Sequence, residues 1–400
     1  MTAIPLKFES LTREPGDTVA ALVEHASALR ASDLFLFANE DGCAACIRHL
    51  GMIRTLGRLP VDFGRRCLSF IKTAANMNFS ERRRPMDGRW LYERSGKHAL
   101  DLRVNTIPTL HGEDCTIRIL DQDMSLLSLD QLGLESDHAS QFRELLANPS
   151  GLLLVAGPTE SGKSTTLYAA LAELNTPEAK INTIEDPIEY SIIGIRQSQV
   201  NPALDLTFEM LLRQAPDVIM IGEIRDPETA QTAVRAAGSG HLVLSTLHAP
   251  IAAAAVHSLL RLGVHPNLLS NALLGVVSQR LLRTLCPSCM VKRPVAEANL
   301  RDWQRAWLEA ESVSEACEAR GCDACHTGGY SGRTAVFEIL PATAAIRELI
   351  DAGGGVPAIR RQAVAEGMIE FRRTAARKVA RGETTVEEVL RVLPAEHLRN

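Results

Sequence analysis

Residues 157–164 read Gly157-Pro158-Thr159-Glu160-Ser161-Gly162-Lys163-Ser164, which matches the pattern G-x-x-x-x-G-K-[ST]. An apolar run at 152–156 precedes this stretch, and a segment of helical periodicity follows it to residue 174. The two glycines let the backbone curl until successive N–H groups face an anion, and the start of a helix adds a positive dipole end. The stretch therefore predicts a strand, a phosphate-binding loop and a helix.

This loop also predicts its ligand. Lys163 is suited to bind the β- and γ-phosphates of ATP, and the Ser164 hydroxyl is suited to bind Mg²⁺. The predicted nucleotide-binding residues are Gly157, Pro158, Thr159, Ser161, Gly162, Lys163, Ser164 and Thr165, with ATP and Mg²⁺ as cofactors.

Further apolar runs alternate with helical segments after the loop. Strands predicted at 152–156, 181–184, 218–221 and 242–245 are typical of a parallel sheet with crossover helices. Glu189, Glu223 and His248 follow the second, third and fourth of these strands. Because the carboxyl ends of parallel strands meet at one edge of a sheet, we expect these side chains to face the loop.

The N-terminal part of the chain has a different pattern. Helical spacing at 17–30 and 61–76 is combined with strand-like runs at 34–38, 90–92, 98–104 and 115–120, separated by turns that contain Gly or Pro. These runs predict an α+β domain with an antiparallel sheet. A polar connector follows it.

Two pairs of cysteines, Cys286-Pro-Ser-Cys289 and Cys322-Asp-Ala-Cys325, are separated by residues 290–321. Four thiolates in two CxxC pairs can close a tetrahedral Zn²⁺ site that leaves no open coordination position, so a structural zinc site is predicted. Cys43 and Cys46 form a third CxxC pair without a partner pair nearby, which we interpret as incidental, with a redox role as the alternative.

Composition excludes several classes of protein. The net charge of −5 and the aromatic content of 4% offer neither a basic field nor a stacking platform, so no nucleic-acid partner is predicted. The longest apolar runs, such as 151–156, fall far short of the roughly 20 residues that span a bilayer. The first residues lack the pattern of a signal peptide, so a cytoplasmic location is expected.

From about residue 17 to 392 the chain resembles the hexameric ATPases that power type II secretion and type IV pilus assembly. The resemblance is most specific at 157–168, 183–190, 212–226, 238–248 and 279–289. It implies a PAS-like N-terminal domain, a RecA-like motor domain, and ATP bound between them and against the next subunit of a ring. The partners implied are five further copies of the chain and a platform protein of the inner membrane, which the chain would contact peripherally without a transmembrane segment.

The resemblance also implies catalytic roles. Glu223 resembles the atypical Walker B acid that activates water, Glu189 the acid of the Asp box, and His248 the functional residue of the His box. Arg103 and Arg118 match two arginines that the family presents to the phosphates. A permanently charged, planar guanidinium suits that task because phosphoryl transfer concentrates negative charge on oxygen.

The predicted fold class is therefore α/β: a RecA-like P-loop motor with a PAS-like α+β domain, a zinc subdomain and a C-terminal helical region. The predicted boundaries are 15–120 for the PAS-like domain, 121–147 for a linker, 148–285 for the ATPase core, 286–333 for the zinc subdomain and 334–400 for the helical region. Because so little chain precedes residue 15, we expect no extra N-terminal docking domain. Pilus assembly and type II secretion both stay open.

Two departures from the family pattern bear on activity. Glu160 stands where the family has Gly, so its charge and its resistance to positive φ are expected to weaken nucleotide binding. Ala249-Pro250-Ile251 replaces Thr-Asn-Asp after His248, which removes polar side chains from the His box. The main prediction is a working ATPase that retains Lys163, Glu189 and Glu223. The alternative is a regulatory or scaffold subunit of the same machine with impaired hydrolysis, and a nucleic-acid translocase is disfavoured by the charge.

Overall fold

A computed structural model describes residues 14–94, 96–120, 127–200 and 208–399. The chain forms two compact units, Met1–Ser125 and Leu126–Asn400. The first six residues of the predicted linker, 121–126, lie outside the described residues. Within the described ranges, no helix combines the length and the apolarity that a bilayer crossing requires.

The first unit is a six-stranded antiparallel sheet with two helices packed on it. The elements are α1 (Pro15–Ala28), β1 (Asp33–Asn39), β2 (Gly42–His49), β3 (Met52–Leu59), α2 (Val61–Ala74), β4 (Met86–Arg94), β5 (Lys97–Thr109) and β6 (Gly112–Leu120). Strand order is β3-β2-β1-β6-β5-β4. The helix α1 buries Val19, Leu22, Val23 and Ala26, spaced so that they share one face of the helix.

Both helices and four of these strands were predicted from the sequence, whereas β2 and β3 were not. The strand β2 is rich in Ala and Cys rather than in β-branched residues, so it gives little strand signal. The turn that joins it to β3 places Leu50 and Gly51 at φ of 50° and 75°. Hairpin turns of this type usually contain Asn-Gly, whereas this turn contains Leu-Gly, so the sequence gives no clear hairpin signal.

The second unit is a seven-stranded sheet covered by helices on both faces. Its elements are α3 (Ser136–Leu146), β7 (Gly151–Ala156), α4 (Lys163–Leu174), β8 (Ile181–Glu185), β9 (Arg196–Gln199), α5 (Phe208–Leu212), β10 (Val218–Ile221), α6 (Pro227–Gly238), β11 (Leu242–Leu247), α7 (Ala252–Arg261), α8 (Pro266–Ala272), β12 (Leu273–Leu285), β13 (Met290–Pro294), α9 (Asp302–Ala310), β14 (Glu315–Ala319), β15 (Tyr330–Pro341), α10 (Ala344–Asp351), α11 (Val356–Ala365), α12 (Phe371–Ala380) and α13 (Val386–Val392).

Strand order in this sheet is β15-β12-β7-β11-β10-β8-β9. The six strands from β12 to β9 run parallel, and β15 runs antiparallel to β12. Every residue of β7 is buried, because alternate side chains enter the two apolar clusters on the two faces. The α/β fold class predicted from the sequence is thereby confirmed.

The strands β12 and β15 form an antiparallel edge that the sequence did not reveal. Both carry charged or amide side chains at their centres, such as Gln279, Arg280 and Glu338, so neither reads as an apolar run. Residue 333, the predicted end of the zinc subdomain, lies inside β15. The division into five segments stays a prediction.

Candidate nucleotide site and cysteine cluster

The loop between β7 and α4 is shaped by its glycines. Gly162 has φ of 85°, and a Cβ atom there would lie 3.0 Å from Gln279 Nε2. A Cβ atom on Gly157 would lie 2.7 Å from the carbonyl oxygen of Gln279. Any side chain at either position would therefore push the loop away from β12. Pro158 and Thr159 are exposed, whereas Ser161 is buried.

Lys163 is the cation at the centre of this loop. Its Nζ donates to the carbonyl oxygens of Gly157 and Pro158 at 3.1 and 2.9 Å. Partial burial lowers the pKa of Lys163, and the charges of Glu223 and Glu189 oppose that shift. Both acids therefore act electrostatically on this lysine, although they come from different strand ends.

Glu223 and His248 follow β10 and β11 and lie together. His248 Nε2 is 2.9 Å from Glu223 Oε1, and Arg225 Nε donates to Glu223 Oε2 at 2.6 Å. The Thr246 hydroxyl donates to the carbonyl oxygen of Gly222 at 2.6 Å, which ties the two strand ends to each other. A cavity of about 580 Å³ opens beside this pair.

Glu189 is exposed, and the segment that carries it is fixed by a buried hydrogen-bonded pair, Tyr168 and Glu185. Tyr168, on α4, donates its hydroxyl to the carboxylate of Glu185, and the Thr183 hydroxyl donates to the same carboxylate at 2.6 Å. The backbone N–H of Glu189 donates to the Tyr168 oxygen at 3.2 Å. Burial, followed by the nearby charge of Glu185, raises the pKa of Tyr168, so the phenol stays a neutral donor.

Glu160 adopts φ of 62°, which costs a non-glycine residue of the order of 1 kcal/mol. Its charge acts on Arg333, on β15, and on Arg391, on α13. The ion pair with Glu388 raises the pKa of Arg391, and the charge of Glu160 adds to that rise. The carboxylate at the tip of the loop is thus balanced by arginines of the C-terminal elements.

Arg103 and Arg118 lie in the first unit as direct cross-strand neighbours on β5 and β6. The same register places Arg89 opposite Arg103, Asp33 opposite Arg118, and Arg48 opposite Asp33. Five charged residues therefore form one row across five strands, which we call the arginine row. Like charges directly opposite each other destabilise a sheet, and carboxylates offset them here, because Arg89 donates to both oxygens of Asp101 at 2.8 and 3.0 Å.

The arginine row is held at one point by the buried carboxylate of Asp33, whose side chain is 3% exposed. Its two oxygens lie 3.2 Å from Arg118 Nε and 3.3 Å from Arg48 Nε. Arg103 Nε is buried and has no hydrogen-bond partner among the described residues. Sequence reasoning missed Asp33, Arg48 and Arg89, because strand register alone aligns them with the two predicted arginines.

The four cysteines of the two CxxC pairs converge, with all their Sγ atoms within 4.8 Å of one another. Cys286 Sγ lies 3.9 Å from Cys322 Sγ, and Cys325 Sγ lies 3.8 Å from the Sγ atoms of Cys289 and Cys322. Zinc–sulfur bonds of about 2.3 Å in a tetrahedron place the sulfurs about 3.8 Å apart. The cluster therefore has the dimensions of a tetrahedral zinc site.

Hydrogen bonds favour a thiolate in this cluster. Burial raises the pKa of Cys325, but the backbone N–H groups of Cys322 and Gly329 outweigh that effect and lower the pKa to about 7. In the unpaired CxxC of the first unit the opposite holds, because burial raises the pKa of Cys43 to about 12. Burial likewise raises the pKa of Cys289, within the cluster, to about 11, so the thiolate that metal ligation requires is favoured at Cys325.

The parallel sheet and the glycine loop with its lysine, together with acids at the neighbouring strand ends, define a P-loop ATPase. Known proteins agree with this class. The family model described as "Type II/IV secretion system protein" matches residues 16–391, and the chain belongs to this family.

Two relatives and one solved structure illustrate the similarity. The chain is 41% identical to type II secretion system protein E of Aeromonas hydrophila, over 94% of this chain and 74% of that protein. It is 43% identical to type II secretion system ATPase E of Vibrio cholerae, over 90% and 72% respectively. The pilus retraction motor PilT with bound ADP is 26% identical, with a TM-score of 0.61 over 92% of this chain and 95% of that one.

Proposed function

We propose that this ATPase works as a cytoplasmic homo-hexamer that binds an inner-membrane platform protein and powers assembly of a type II secretion pseudopilus or a type IV pilus. The proposal rests on family membership and on one local observation. That observation is the Glu223–His248 pair, because the charge of Glu223 acts on Lys163, the residue proposed to hold the phosphates.

In this proposal the loop residues hold MgATP. The backbone of residues 157–165 binds the phosphates, Lys163 bridges the β- and γ-phosphates, and Ser164 binds Mg²⁺. The bound Mg²⁺ supplies charge neutralisation during phosphoryl transfer. Glu223 orients and activates the attacking water, His248 holds the carboxylate of Glu223, and Glu189 adds a second acid at the same edge of the sheet.

Arg103 and Arg118 are proposed to bind the phosphates from the N-terminal unit. The support is their side-by-side placement and the buried Nε of Arg103, which has no hydrogen-bond partner among the described residues, whereas Arg118 already pairs with Asp33. A guanidinium delivered from another unit stabilises the charge of the transition state and couples hydrolysis to the position of that unit.

Zn²⁺ is proposed to bind Cys286, Cys289, Cys322 and Cys325. Four sulfur ligands leave no position for substrate, so this role is structural. The site would join β13 and β14 to the end of β12 and the start of β15, which flank the cysteines in the chain.

A hydrolysis-impaired subunit is the second candidate, and one observation favours it. Both carboxylate oxygens of Glu223 are engaged, one by His248 and the other by Arg225. A carboxylate held by two donors is less available to accept a proton from water.

Measured turnover separates these two functions. Phosphate release is compared between the wild type, Lys163→Ala and Glu223→Gln, with binding of MgADP followed by calorimetry. The ATPase proposal expects Glu223→Gln to bind MgADP but to lower kcat about 10²- to 10⁴-fold, the size of a lost general base. It expects Lys163→Ala to lose binding. Wild-type turnover no higher than that of Lys163→Ala would establish the impaired subunit instead.

A further inference from the structure

The central residues of β12 lie between two functional loops. Ser278 is paired with Ala156, the last residue of β7, so the next residues of β12 run alongside the P-loop. Successive side chains of a strand point to opposite faces of the sheet. Gln279 and Arg280 therefore reach two different layers of the second unit from adjacent positions in the chain.

Gln279 contacts the P-loop. Its Nε2 donates to the carbonyl oxygen of Ser161 at 2.6 Å, and the residue is 1% exposed. Its own carbonyl oxygen lies where a side chain on Gly157 would clash. Any shift of the loop on nucleotide binding is therefore transmitted to this glutamine side chain.

Arg280 contacts the loop after His248. Its guanidinium donates to the carbonyl oxygen of Pro250, and at 2.9 Å to the carbonyl oxygen of Gln279. It lies over the ring of Phe371 at 5.4 Å and is 5% exposed. A buried guanidinium that holds two backbone carbonyls in fixed places is a rigid connector.

Glu338 secures the same loop from β15. Its carboxylate accepts from the backbone N–H of Ala252 at 2.7 Å, at the first residue of α7. Ile251, the N-cap residue of that helix, offers no side-chain acceptor, so the acid from the sheet substitutes for a cap. Burial lowers the pKa of Arg280, and the charge of Glu338 opposes that effect, so the two side chains interact electrostatically.

Ala249, Pro250 and Ile251 have no polar side-chain groups, so the loop after His248 is held through its backbone. We propose that Gln279, Arg280 and Glu338, here called the polar bridge, are positioning residues that set the His248 loop relative to the P-loop. Through this contact the Glu223–His248 pair keeps its place against a phosphate on Lys163. The inference rests on the proposed ATPase function, which it deepens.

Kinetic variants test the bridge in the full-length oligomer. Arg280→Met removes the donors but keeps an apolar chain, and it is expected to lower kcat about 10- to 100-fold, as a misplacement of about 1 Å does. The Kd for MgADP is expected to stay within about threefold, because Arg280 donates its hydrogen bonds to Pro250 and Gln279 and acts on Lys163 electrostatically. Arg283→Met is the matched control: it lies on the same strand and pairs with Glu388, so it should lower Tm without a comparable loss of kcat.

Conservative and double variants separate positioning from stability. Glu338→Gln keeps an acceptor for Ala252 and should restore most of the kcat that Glu338→Leu loses. In a His248→Ala background, Arg280→Met should cost little further kcat, since both changes disable the same group. The proposal would be overturned if Arg280→Met lowered kcat in the His248→Ala background as much as it does in the wild type. It would also be overturned if Arg283→Met and Arg280→Met lowered kcat equally.

Hydrogen exchange provides a readout that needs no turnover. With saturating MgADP, the wild type should show slower exchange both at 159–165 and at 249–252. Gln279→Met should keep the slowing at 159–165 and lose it at 249–252. Persistent slowing at 249–252 in Gln279→Met contradicts the bridge even if the wild type proves inactive, so failure of the ATPase proposal is distinguishable from failure of this one.

Discussion

The parallel strands and the antiparallel edge of the same sheet contribute in different ways to one site. Strands β7, β10 and β11 are followed by the groups to which we assign the chemistry, namely the P-loop, Glu223 and His248. Strands β12 and β15 carry buried Gln279, Arg280 and Glu338 near their centres, and these side chains contact the P-loop, the loop after His248 and the start of α7.

This difference separates reactive residues from supporting ones. Reactive residues follow strands in short motifs, and so they are recognisable by spacing. Supporting residues lie in the middle of strands, where only the fold determines what they touch.

Loss of metal from the cysteine cluster should have the largest effect, since the cluster joins the ends of β12 and β15. Cys325→Ser is expected to abolish zinc content and to lower Tm by about 5–10 °C, as a loss of several kcal/mol does in a unit of this size. Elemental analysis and a thermal melt measure both. Cys46→Ser, from the unpaired CxxC, should leave zinc content unchanged; equal zinc content in Cys325→Ser would contradict the assignment.

The pH dependence of stability reports on Glu338. Burial raises the pKa of Glu338 from 4.5 to about 7. The Ala252 N–H, Arg360 and Arg280 oppose this rise, whereas the charge of Glu370 adds to it. The folded state then binds more protons than the unfolded state between these values, so this group lowers stability as pH rises from about 4.5 to 7. Glu338→Gln should remove that decline.

Melting curves between pH 5 and pH 8 test this sign. As pH rises over this range, the Tm of the wild type is expected to fall relative to the Tm of Glu338→Gln. Above pH 8 the difference between the two Tm values should stay constant. A wild type that gains stability relative to the variant as pH rises would show that the carboxylate is ionised and well paired.

Asp33 is the corresponding support in the first unit, where antiparallel register aligns the arginine row. Asp33→Asn leaves Arg118 and Arg48 without their anion and should cost about 1–2 kcal/mol, because the carboxylate is buried while the arginines are partly solvated. Exchange of amides in β1 and β6 should speed up accordingly. Asp41→Asn breaks the exposed pair with Arg58 and is the control, with almost no change expected.

The smallest effect is expected at Glu160, which lies in the P-loop after β7 and whose charge acts on Arg333 of the antiparallel edge. Glu160→Gly removes both the positive-φ strain and a negative charge near the phosphates, so MgADP should bind about 2- to 5-fold more tightly. Glu160→Gln keeps the strain and removes the charge, so calorimetry on both variants separates the two causes. Weaker binding in both would mean that the charge interaction of Glu160 with Arg391 supports the loop.

Much of the site was predictable because its residues are close in sequence. The P-loop strand and helix lie where the spacing at 152–174 predicts them, and Glu223 and His248 do meet at the edge of the parallel sheet. The cysteine pairs converge as their spacing indicates. The strands β2, β3, β12 and β15 were not predictable, since they lack apolar runs or turn signals.

By itself the sequence determined the class of motor, its phosphate-binding loop and the two CxxC pairs predicted to bind zinc, because each depends on residue types at fixed short spacings. Only the tertiary structure decided that Asp33 joins the arginine row, that Tyr168 and Glu185 fix the segment of Glu189, and that Glu338 caps α7. These contacts join residues far apart in the chain. Strand register and helix packing bring them together, and neither is encoded in any local pattern.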